Sequence, residues 1–275
     1  MVYVTKADGS TQEFDKEKII RTCLKLSIEE DKAKIIADKI ENRVYNGIST
    51  KKILKMIFDY AKKYRPAIKN RIDLRNAISL LRSKPDFEEF VRIILRENGY
   101  EVKPNEIVAG KCAEHEIDGI AKKDNDVIFL EVKHHVEYHS YVGLPIFLEA
   151  YAVFEDLVEG GKIGKNSYNF NKLMVVCNTK ISDYAKKYAE CKNIAYVCWN
   201  YPEKFNLNEL IENGKLYPIT ILKDLDSYTK NKLGDNQILT LKQLVEAGVE
   251  KLVALGISKN KSIDLIEKAK SLLQD

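Results

Sequence analysis

The sequence predicts an α+β or α/β protein of several domains. We expect a helical amino-terminal module with a small β-hairpin, a central α/β/α sandwich around a mixed sheet, and a helical carboxyl-terminal segment. Its 275 residues suffice for two or three domains with separate cores. Strand and helix patterns alternate in the middle of the chain. Charge also changes along the chain, and we place the domains at residues 1–84, 85–205 and 206–275.

The net charge of +4 is unevenly distributed. Residues 1–84 carry 20 Lys or Arg against 11 Asp or Glu, a balance of +9, whereas residues 85–205 carry 15 against 20, a balance of −5. Residues 206–275 carry 10 against 10. The first segment therefore attracts anions and the middle one suits a cation site. A solvated helical surface is the alternative interpretation of the basic segment.

Membrane insertion and secretion are not expected. No stretch has the uncharged apolar length that crosses a bilayer, and the start of the chain lacks the apolar stretch of a secretory signal. The five cysteines include no Cys-x-x-Cys pair, which is typical of buried thiols in a reducing compartment. We therefore expect a cytoplasmic protein without a membrane partner.

Two carboxylates and a lysine are expected on one sheet face in the middle of the chain. A two-residue turn at Asp124–Asn125 predicts a hairpin with Ile120 opposite Phe129 and therefore Asp118 opposite Glu131. Lys133 follows two residues later on the same face. Adjacent carboxylates repel, so the arrangement suits a divalent cation such as Mg²⁺ or Mn²⁺. The lysine can orient an attacking water and balance charge on a phosphate.

This spacing resembles the PD-(D/E)XK nuclease superfamily, and most closely its Mrr-like restriction endonucleases. Ile117 stands where the motif often has proline. The resemblance implies Asp118, Glu131 and Lys133 as catalytic residues, with an acidic residue on the preceding helix. Phe87–Glu88 matches the family's Phe-Glu step, so Glu88 is the candidate for that residue and for a third metal ligand, with Glu89 as the alternative. A chance pattern on an exposed hairpin is the competing interpretation.

The first 84 residues predict a hairpin around Asp8–Gly9 followed by helices. Asp15 caps the first helix, Ser49–Thr50 cap a later one, and a final helix is expected over residues 67–81. Spaced elements of this stretch resemble the ATP-cone, the nucleotide-binding module of ribonucleotide reductases and of their repressor. These elements are Val4–Gly9, Phe14–Ile19, Gly47–Ile53 and Arg71–Ile78.

The cone resemblance implies ATP or dATP as an allosteric ligand and a homo-oligomer. Its nucleotide contacts carry over to Lys6, Lys18, Thr50 and Lys51. Lysines near a helix amino-terminus suit a triphosphate. Ile72 replaces the aromatic residue that the family often has in its closing segment. The glycine-containing stretch 159–166 lacks phosphate-loop spacing and predicts a flexible loop.

Three of the four histidines lie within seven residues, His134, His135 and His139. A zinc site is disfavoured, because a fourth ligand is missing and the first two point to opposite sides of an extended chain. We expect His135 or His139 to line the catalytic cleft, with surface histidines as the alternative. A helix from Pro145 to Val158 should contribute core side chains, with Glu149 and Tyr151 as further polar candidates.

The last seventy residues resemble helix-hairpin-helix units, in which hairpin amides contact DNA phosphates. The implied contacts are Gly248, Gly256, Ser258 and Lys259. Because this segment is electrically neutral, a small packing or dimerisation bundle is the alternative.

Together these features predict an ATP-regulated, Mg²⁺-dependent DNA endonuclease. The alternatives are a nucleotide-sensing DNA-binding regulator with an inactive nuclease fold, and a repair nuclease for branched DNA.

Overall fold

The structure is a computed structural model that describes residues 1–274. It divides into two compact units. The first unit contains Met1–Ile72, Leu222–Leu225 and the described residues from Val245 onward, and the second contains Asp73–Ile221 and Asp226–Leu244. Between Met1 and Gln274, no helix combines the length and apolar character needed to span a bilayer.

The first unit is a helical body with one small hairpin, as the sequence predicts. Strands β1 (Tyr3–Thr5) and β2 (Thr11–Glu13) pair antiparallel, and helices α1 (Lys16–Lys25), α2 (Glu30–Glu41) and α3 (Thr50–Ala61) follow. The two expected caps are present: Asp15 accepts the Glu17 amide at 2.9 Å, and Ser49 accepts the Lys52 amide at 3.2 Å. Apolar faces of the three helices bury residues such as Ile19, Ile36 and Ile57.

The prediction of a single helix over residues 67–81 is wrong. The chain instead forms a 3₁₀ helix at Pro66–Asn70 and a separate helix α4 at Leu74–Ser79. Arg71 between them is extended, with φ −121° and ψ 155°, and forms an antiparallel bridge with Leu222. Asp73 then caps α4 by accepting the Asn76 amide at 3.1 Å. The bridge from Arg71 to Leu222 and the Asp73 cap therefore divide the expected helix into two shorter ones.

The carboxyl-terminal segment is helical, as expected. Its helices are α8 (Leu207–Gly214), α9 (Ser227–Asp235), α10 (Leu241–Ala254) and α11 (Lys259–Leu273), with a 3₁₀ turn at Ile219–Ile221. Gly248 interrupts α10 with φ +73°, a conformation that favours glycine. Within the first unit, Arg65 donates hydrogen bonds to Leu26 O at 2.9 Å and to Leu272 O at 3.4 Å. Helix α11 therefore packs against elements from the start of the chain.

The second unit is built on a mixed five-stranded sheet. Its strands are β3 (Glu101–Lys103), β6 (Gly119–Lys123), β7 (Asp126–Lys133), β9 (Lys172–Cys177) and β11 (Ala195–Val197), in the order β11-β9-β7-β6-β3. Strands β3, β6 and β7 pair antiparallel, whereas β7, β9 and β11 pair parallel. Two further pairs, β4 (Glu106–Ala109) with β5 (Glu114–Ile117) and β8 (Tyr141–Val142) with β10 (Lys180–Ile181), lie outside this sheet. The predicted α+β multidomain class is confirmed.

The hairpin of β6 and β7 has the predicted register, with Ile120 opposite Phe129. Asp124 occupies the turn with φ +53°. The expectation that Asp118 pairs opposite Glu131 is wrong, because the ladder ends at Gly119 opposite Leu130. Asp118 lies in the bend between β5 and β6, so its carboxylate is free to turn towards the neighbouring strand.

Three helices of the second unit accompany the strands of the sheet along the chain. They are α5 (Glu88–Glu97), preceded by a π turn at Ser83–Phe87, α6 (Leu144–Lys162) and α7 (Asp183–Cys191), capped by Ser182. The prediction of a flexible loop over residues 159–166 is wrong for its first half, since α6 continues to Lys162. Gly160 is buried there against the backbone of Gly110, which explains why a glycine stands inside this helix.

We expect Gly160→Ala to destabilise the protein. In an ordinary helix this change stabilises by about 0.5–1 kcal/mol, but here the new Cβ would lie 2.7 Å from the carbonyl carbon of Gly110. Overpacking of this kind costs about 1–3 kcal/mol. Urea unfolding measures the change, with Glu155→Ala on the exposed face of α6 as the control. A stabilised Gly160→Ala variant would contradict the close packing.

Candidate functional site

A polar cavity of about 320 Å³ lies in the second unit. It brings together the three motif residues that the sequence singles out, Asp118, Glu131 and Lys133. The other residues lining it are Lys84, Glu114, His115, Glu116, Phe129, Glu149, Ala150 and Val153. Clustered charges of both signs in one cavity are typical of a functional site rather than of an exposed hairpin.

Asp118 is buried at the bend and is held by both its side chain and its backbone. Its Oδ2 accepts a hydrogen bond of 2.8 Å from the amide of Val132, which lies on the adjoining strand β7. Its carbonyl oxygen accepts Nη1 of the buried Arg92, on α5, at 2.8 Å. The bend therefore places the carboxylate beside the end of β7 without a strand pair at this position.

Glu131 and Lys133 form an ion pair on β7, with Nζ 2.7 Å from Oε1. Burial, together with nearby Asp118, raises the pKa of Glu131, although Lys133 opposes this shift. Burial alone would lower the pKa of Lys133, but the hydrogen bond and charge of Glu131 raise it above its ordinary value. Lys133 is therefore a charged hydrogen-bond donor at neutral pH.

The structure distinguishes the two acidic candidates on α5. Glu88 is buried, and burial together with the Asp118 carboxylate raises its pKa. Glu89 instead pairs with Arg92 at 2.7 Å and with Arg96 at 2.8 Å. Glu88 therefore lies on the Asp118 side of the site, although its side chain is not among those that line the cavity.

Lys84 is a site residue that sequence reasoning missed. Its Nζ lies 3.3 Å from Glu88 Oε1 and 3.4 Å from both Glu116 Oε1 and Asp118 Oδ1. Burial opposes its charge, but Asp118 and Glu88 raise its pKa above the ordinary value. No helical spacing marks it in the sequence, because Lys84 itself is extended, with φ −124° and ψ 137°.

The donor chemistry of the site fits a divalent metal ion, since carboxylate oxygens are the ligands that Mg²⁺ and Mn²⁺ prefer. Glu88, Asp118 and Glu131 would hold it. Within residues 1–274, however, no three His, Cys, Asp or Glu side chains are already spaced as a metal-binding group. The ammonium groups of Lys84 and Lys133 lie within 3.4 Å of these carboxylates and balance part of their negative charge.

The histidines are arranged differently from the expectation. His134 and His135 lie outside the cavity: His134 packs against Phe87, and the backbone of His135 pairs with the side chain of Asn178. His139 is exposed and also does not line the cavity. The expectation that His135 or His139 lines the cleft is therefore wrong, because β7 ends at Lys133 and neither side chain is among those that line the cavity. The fourth histidine, His115, lines it instead.

Of the two polar candidates on α6, Glu149 lines the cavity and Tyr151 does not. The ring of Tyr151 packs against Phe154 and Tyr188, with centroid distances of 6.2 and 6.1 Å. Helix periodicity explains the division, since positions two residues apart point in different directions.

The candidate nucleotide contacts gather around the hairpin of the first unit. Thr5, which precedes Lys6, bridges in parallel to Ser49, which caps α3 directly before Thr50 and Lys51. Lys18 on α1 donates to Gln12 of β2 at 3.3 Å. The first turn of α3 contains no acidic residue, so its amino-terminus remains favourable for an anion.

The candidate DNA contacts near the carboxyl terminus lie at the break inside α10 and between α10 and the start of α11. Gly248 and Gly256 have φ of +73° and +86°, Ser258 is the amino-terminal cap of α11, and Lys259 begins that helix. The side chain of Ser258 makes no capping hydrogen bond.

Comparison with known proteins gives matches along most of the chain. Family models match as "ATP cone domain" at residues 2–79, "Restriction endonuclease" at residues 81–200 and "AF1548-like, C-terminal" at residues 217–273. An uncharacterized protein of Archaeoglobus fulgidus is 37% identical over 180 residues, which cover 66% of this chain and 98% of the relative.

A solved structure gives a consistent result. The crystal structure of AF1548, described as a protein of unknown function, is 36% identical with a TM-score of 0.59, and the match covers 68% of this chain and 97% of that one. The chain therefore belongs to the AF1548-like family and carries an ATP cone domain followed by a restriction endonuclease domain and an AF1548-like carboxyl-terminal domain.

Proposed function

We propose that this protein is a nucleotide-regulated, Mg²⁺- or Mn²⁺-dependent DNA endonuclease that acts in the cytoplasm. One observation carries the proposal: Asp118, Glu131 and Lys133 converge in one cavity, with Glu88 facing Asp118 across Lys84. The match to a restriction endonuclease domain makes phosphodiester hydrolysis the reaction class that this set of residues suits.

The three acidic residues share one role in this proposal. Asp118, Glu131 and Glu88 would hold the metal ion, which when bound would polarise the phosphate and favour ionisation of a nearby water. The Val132 amide and Arg92 fix the Asp118 bend, so the ion site forms at a set place on the sheet.

Lys133 acts as a donor. Its ammonium, charged through its pairing with Glu131, can hydrogen-bond the attacking water or a non-bridging phosphate oxygen. Negative charge increases on the phosphate as the bond to the leaving oxygen breaks, so a fixed cation stabilises the transition state more than the ground state.

ATP or dATP is the proposed regulatory ligand, held by Lys6, Lys18, Thr50 and Lys51 in the first unit. The ATP cone match ends at residue 79, whereas the first unit ends at Ile72 in this part of the chain. Helix α4 therefore belongs to the ATP cone match in sequence but to the second unit in packing. Because one helix is shared in this way, we propose that nucleotide binding to the cone regulates the nuclease. A change of homo-oligomeric state is the expected accompaniment.

We expect Asp118→Asn and Lys133→Met to lower DNA cleavage by about 100-fold or more, because each removes a charge that stabilises the transition state. The assay is nicking of supercoiled plasmid with Mg²⁺ or Mn²⁺, with and without ATP. Lys187→Met, an exposed lysine on α7, is the matched control and should cleave like the wild type.

No cleavage by the wild type under any of these conditions would contradict the proposal and favour a DNA-binding regulator. Cleavage of branched substrates alone would instead identify a repair nuclease.

We expect Lys84→Met to bind Mn²⁺ more tightly than the wild type. The ammonium competes with the ion for Glu88 and Asp118, and its loss should raise affinity roughly three- to tenfold at this partly exposed position. Calorimetric titration with Mn²⁺ measures the affinity without any cleavage assay. Lys122→Met on β6, away from the cavity, serves as the control, and an unchanged or weaker affinity in Lys84→Met would refute the competition.

We expect Lys18→Met and Lys51→Met each to weaken ATP binding roughly tenfold, because each removes a charge-assisted hydrogen bond to phosphate. Fluorescence anisotropy with labelled ATP, competed by ATP and dATP, measures the change. Lys34→Met in the same unit, which loses only an exposed ion pair with Glu30, should bind normally. Equal affinity in all variants would place the nucleotide elsewhere.

A further inference from the structure

His115 lines the cavity but has no role in the mechanism proposed above. It lies on β5, three residues before Asp118, and it lines the same cavity as Asp118, Glu131 and Lys133. It is also the only histidine in the described residues that reaches this cavity. An imidazole is the side chain best suited to exchanging protons near neutral pH.

Asp156 on α6 holds the ring of His115. Its Oδ2 lies 2.8 Å from His115 Nε2. The same carboxylate accepts the Cys112 amide at 2.8 Å and the Ala113 amide at 3.2 Å, so it is fixed to the turn between β4 and β5. The hydrogen bond from His115, with the two amides, keeps the pKa of Asp156 well below its usual range. Asp156 therefore remains an anion and an acceptor, and Nε2 carries a proton.

Two glycines make this placement possible. A side chain at Gly110 would overlap the Asp156 carboxylate, and one at Gly160 would meet the Gly110 backbone at 2.7 Å. The close approach of α6 to the turn before β5 therefore depends on two positions without a Cβ.

The second ring nitrogen of His115 is available. In the tautomer that donates from Nε2 to Asp156, Nδ1 is an acceptor, and within residues 1–274 it has no hydrogen-bond partner. Lys133 is an ammonium that donates to Glu131 at 2.7 Å, so it does not serve as a proton acceptor. A general base in this cavity must therefore be a group other than Lys133.

We propose that His115 is the general base of the nuclease site and that Asp156 is its positioning residue. This assignment rests on the proposed function. The water oxygen forms a bond to phosphorus, its proton passes to Nδ1, and the bond from phosphorus to the leaving oxygen breaks. The leaving oxygen takes a proton from solvent, and the imidazolium returns its own proton to solvent. This is the role that an aspartate-oriented histidine plays towards a hydroxyl nucleophile.

The test compares His115→Ala, His115→Gln and Asp156→Asn with the wild type in single-turnover DNA cleavage at saturating Mg²⁺. Glutamine retains a donor for Asp156 but has no basic nitrogen, so it preserves the loop while removing the base. General-base loss costs about 10²- to 10⁴-fold, and both His115 variants should fall in this range. Asp156→Asn should lose less, because the imidazole remains.

Three readouts separate a base from a structural residue. Added imidazole should restore part of the cleavage by His115→Ala, whereas it should not restore Lys133→Met. The KM for DNA and the affinity for Mn²⁺ should remain close to the wild-type values in His115→Gln. His139→Ala, an exposed histidine outside the cavity, should cleave normally.

Full activity of His115→Gln with an active wild type would overturn this assignment and leave the proposed function intact. So would loss of DNA or Mn²⁺ affinity in His115→Gln without rescue of His115→Ala by imidazole. Loss of cleavage on Glu149→Gln, with His115→Gln unaffected, would identify the exposed carboxylate of α6 as the base instead. A wild type that does not cleave at all would overturn both proposals together.

Discussion

The candidate site depends on how the repulsion of the Asp118 carboxylate with those of Glu88 and Glu131 is balanced. Asp118 raises the pKa of both neighbours, and all three carboxylates lie near the apolar core. Groups of like charge in poorly solvated surroundings are costly unless cations face them. Lys84 and Lys133 meet this need at the cavity. A divalent cation would meet it more completely, which is why a site of this composition suits metal-dependent chemistry.

The same carboxylates are fixed by contacts from several elements of the unit. Arg92 joins α5 to the Asp118 bend, and the Val132 amide joins that bend to β7. On the other side, Asp156 on α6 accepts two amides of the turn before β5 and contacts the ring of His115. Asp118 and His115 are thus held by neighbours on other elements, whereas Glu131 and Lys133 hold each other on β7. Fixed partners of this kind are what preorganised electrostatic stabilisation requires.

The parts that the sequence predicted correctly depend on local chemistry. The Asp124–Asn125 turn set the register of the hairpin, and Asp15 and Ser49 marked helix starts, because turns and caps involve residues a few positions apart. The parts it missed depend on distant contacts. Arg71 is extended through its bridge to Leu222, Gly160 is helical against Gly110, and His115 enters the cavity with Asp156 behind it.

By itself, the sequence determined the fold class, the order of a cone-like module and a nuclease-like module, and the three motif residues of the candidate site. Only the tertiary structure decided that Glu88 rather than Glu89 faces Asp118, that Lys84 lies among the carboxylates, and that α11 packs with the start of the chain through Arg65 and Leu272. The physical reason is one of range. Turn geometry, capping and side-chain periodicity are set within a few residues, whereas burial and charge pairing are set by whichever segments the folded chain brings into contact.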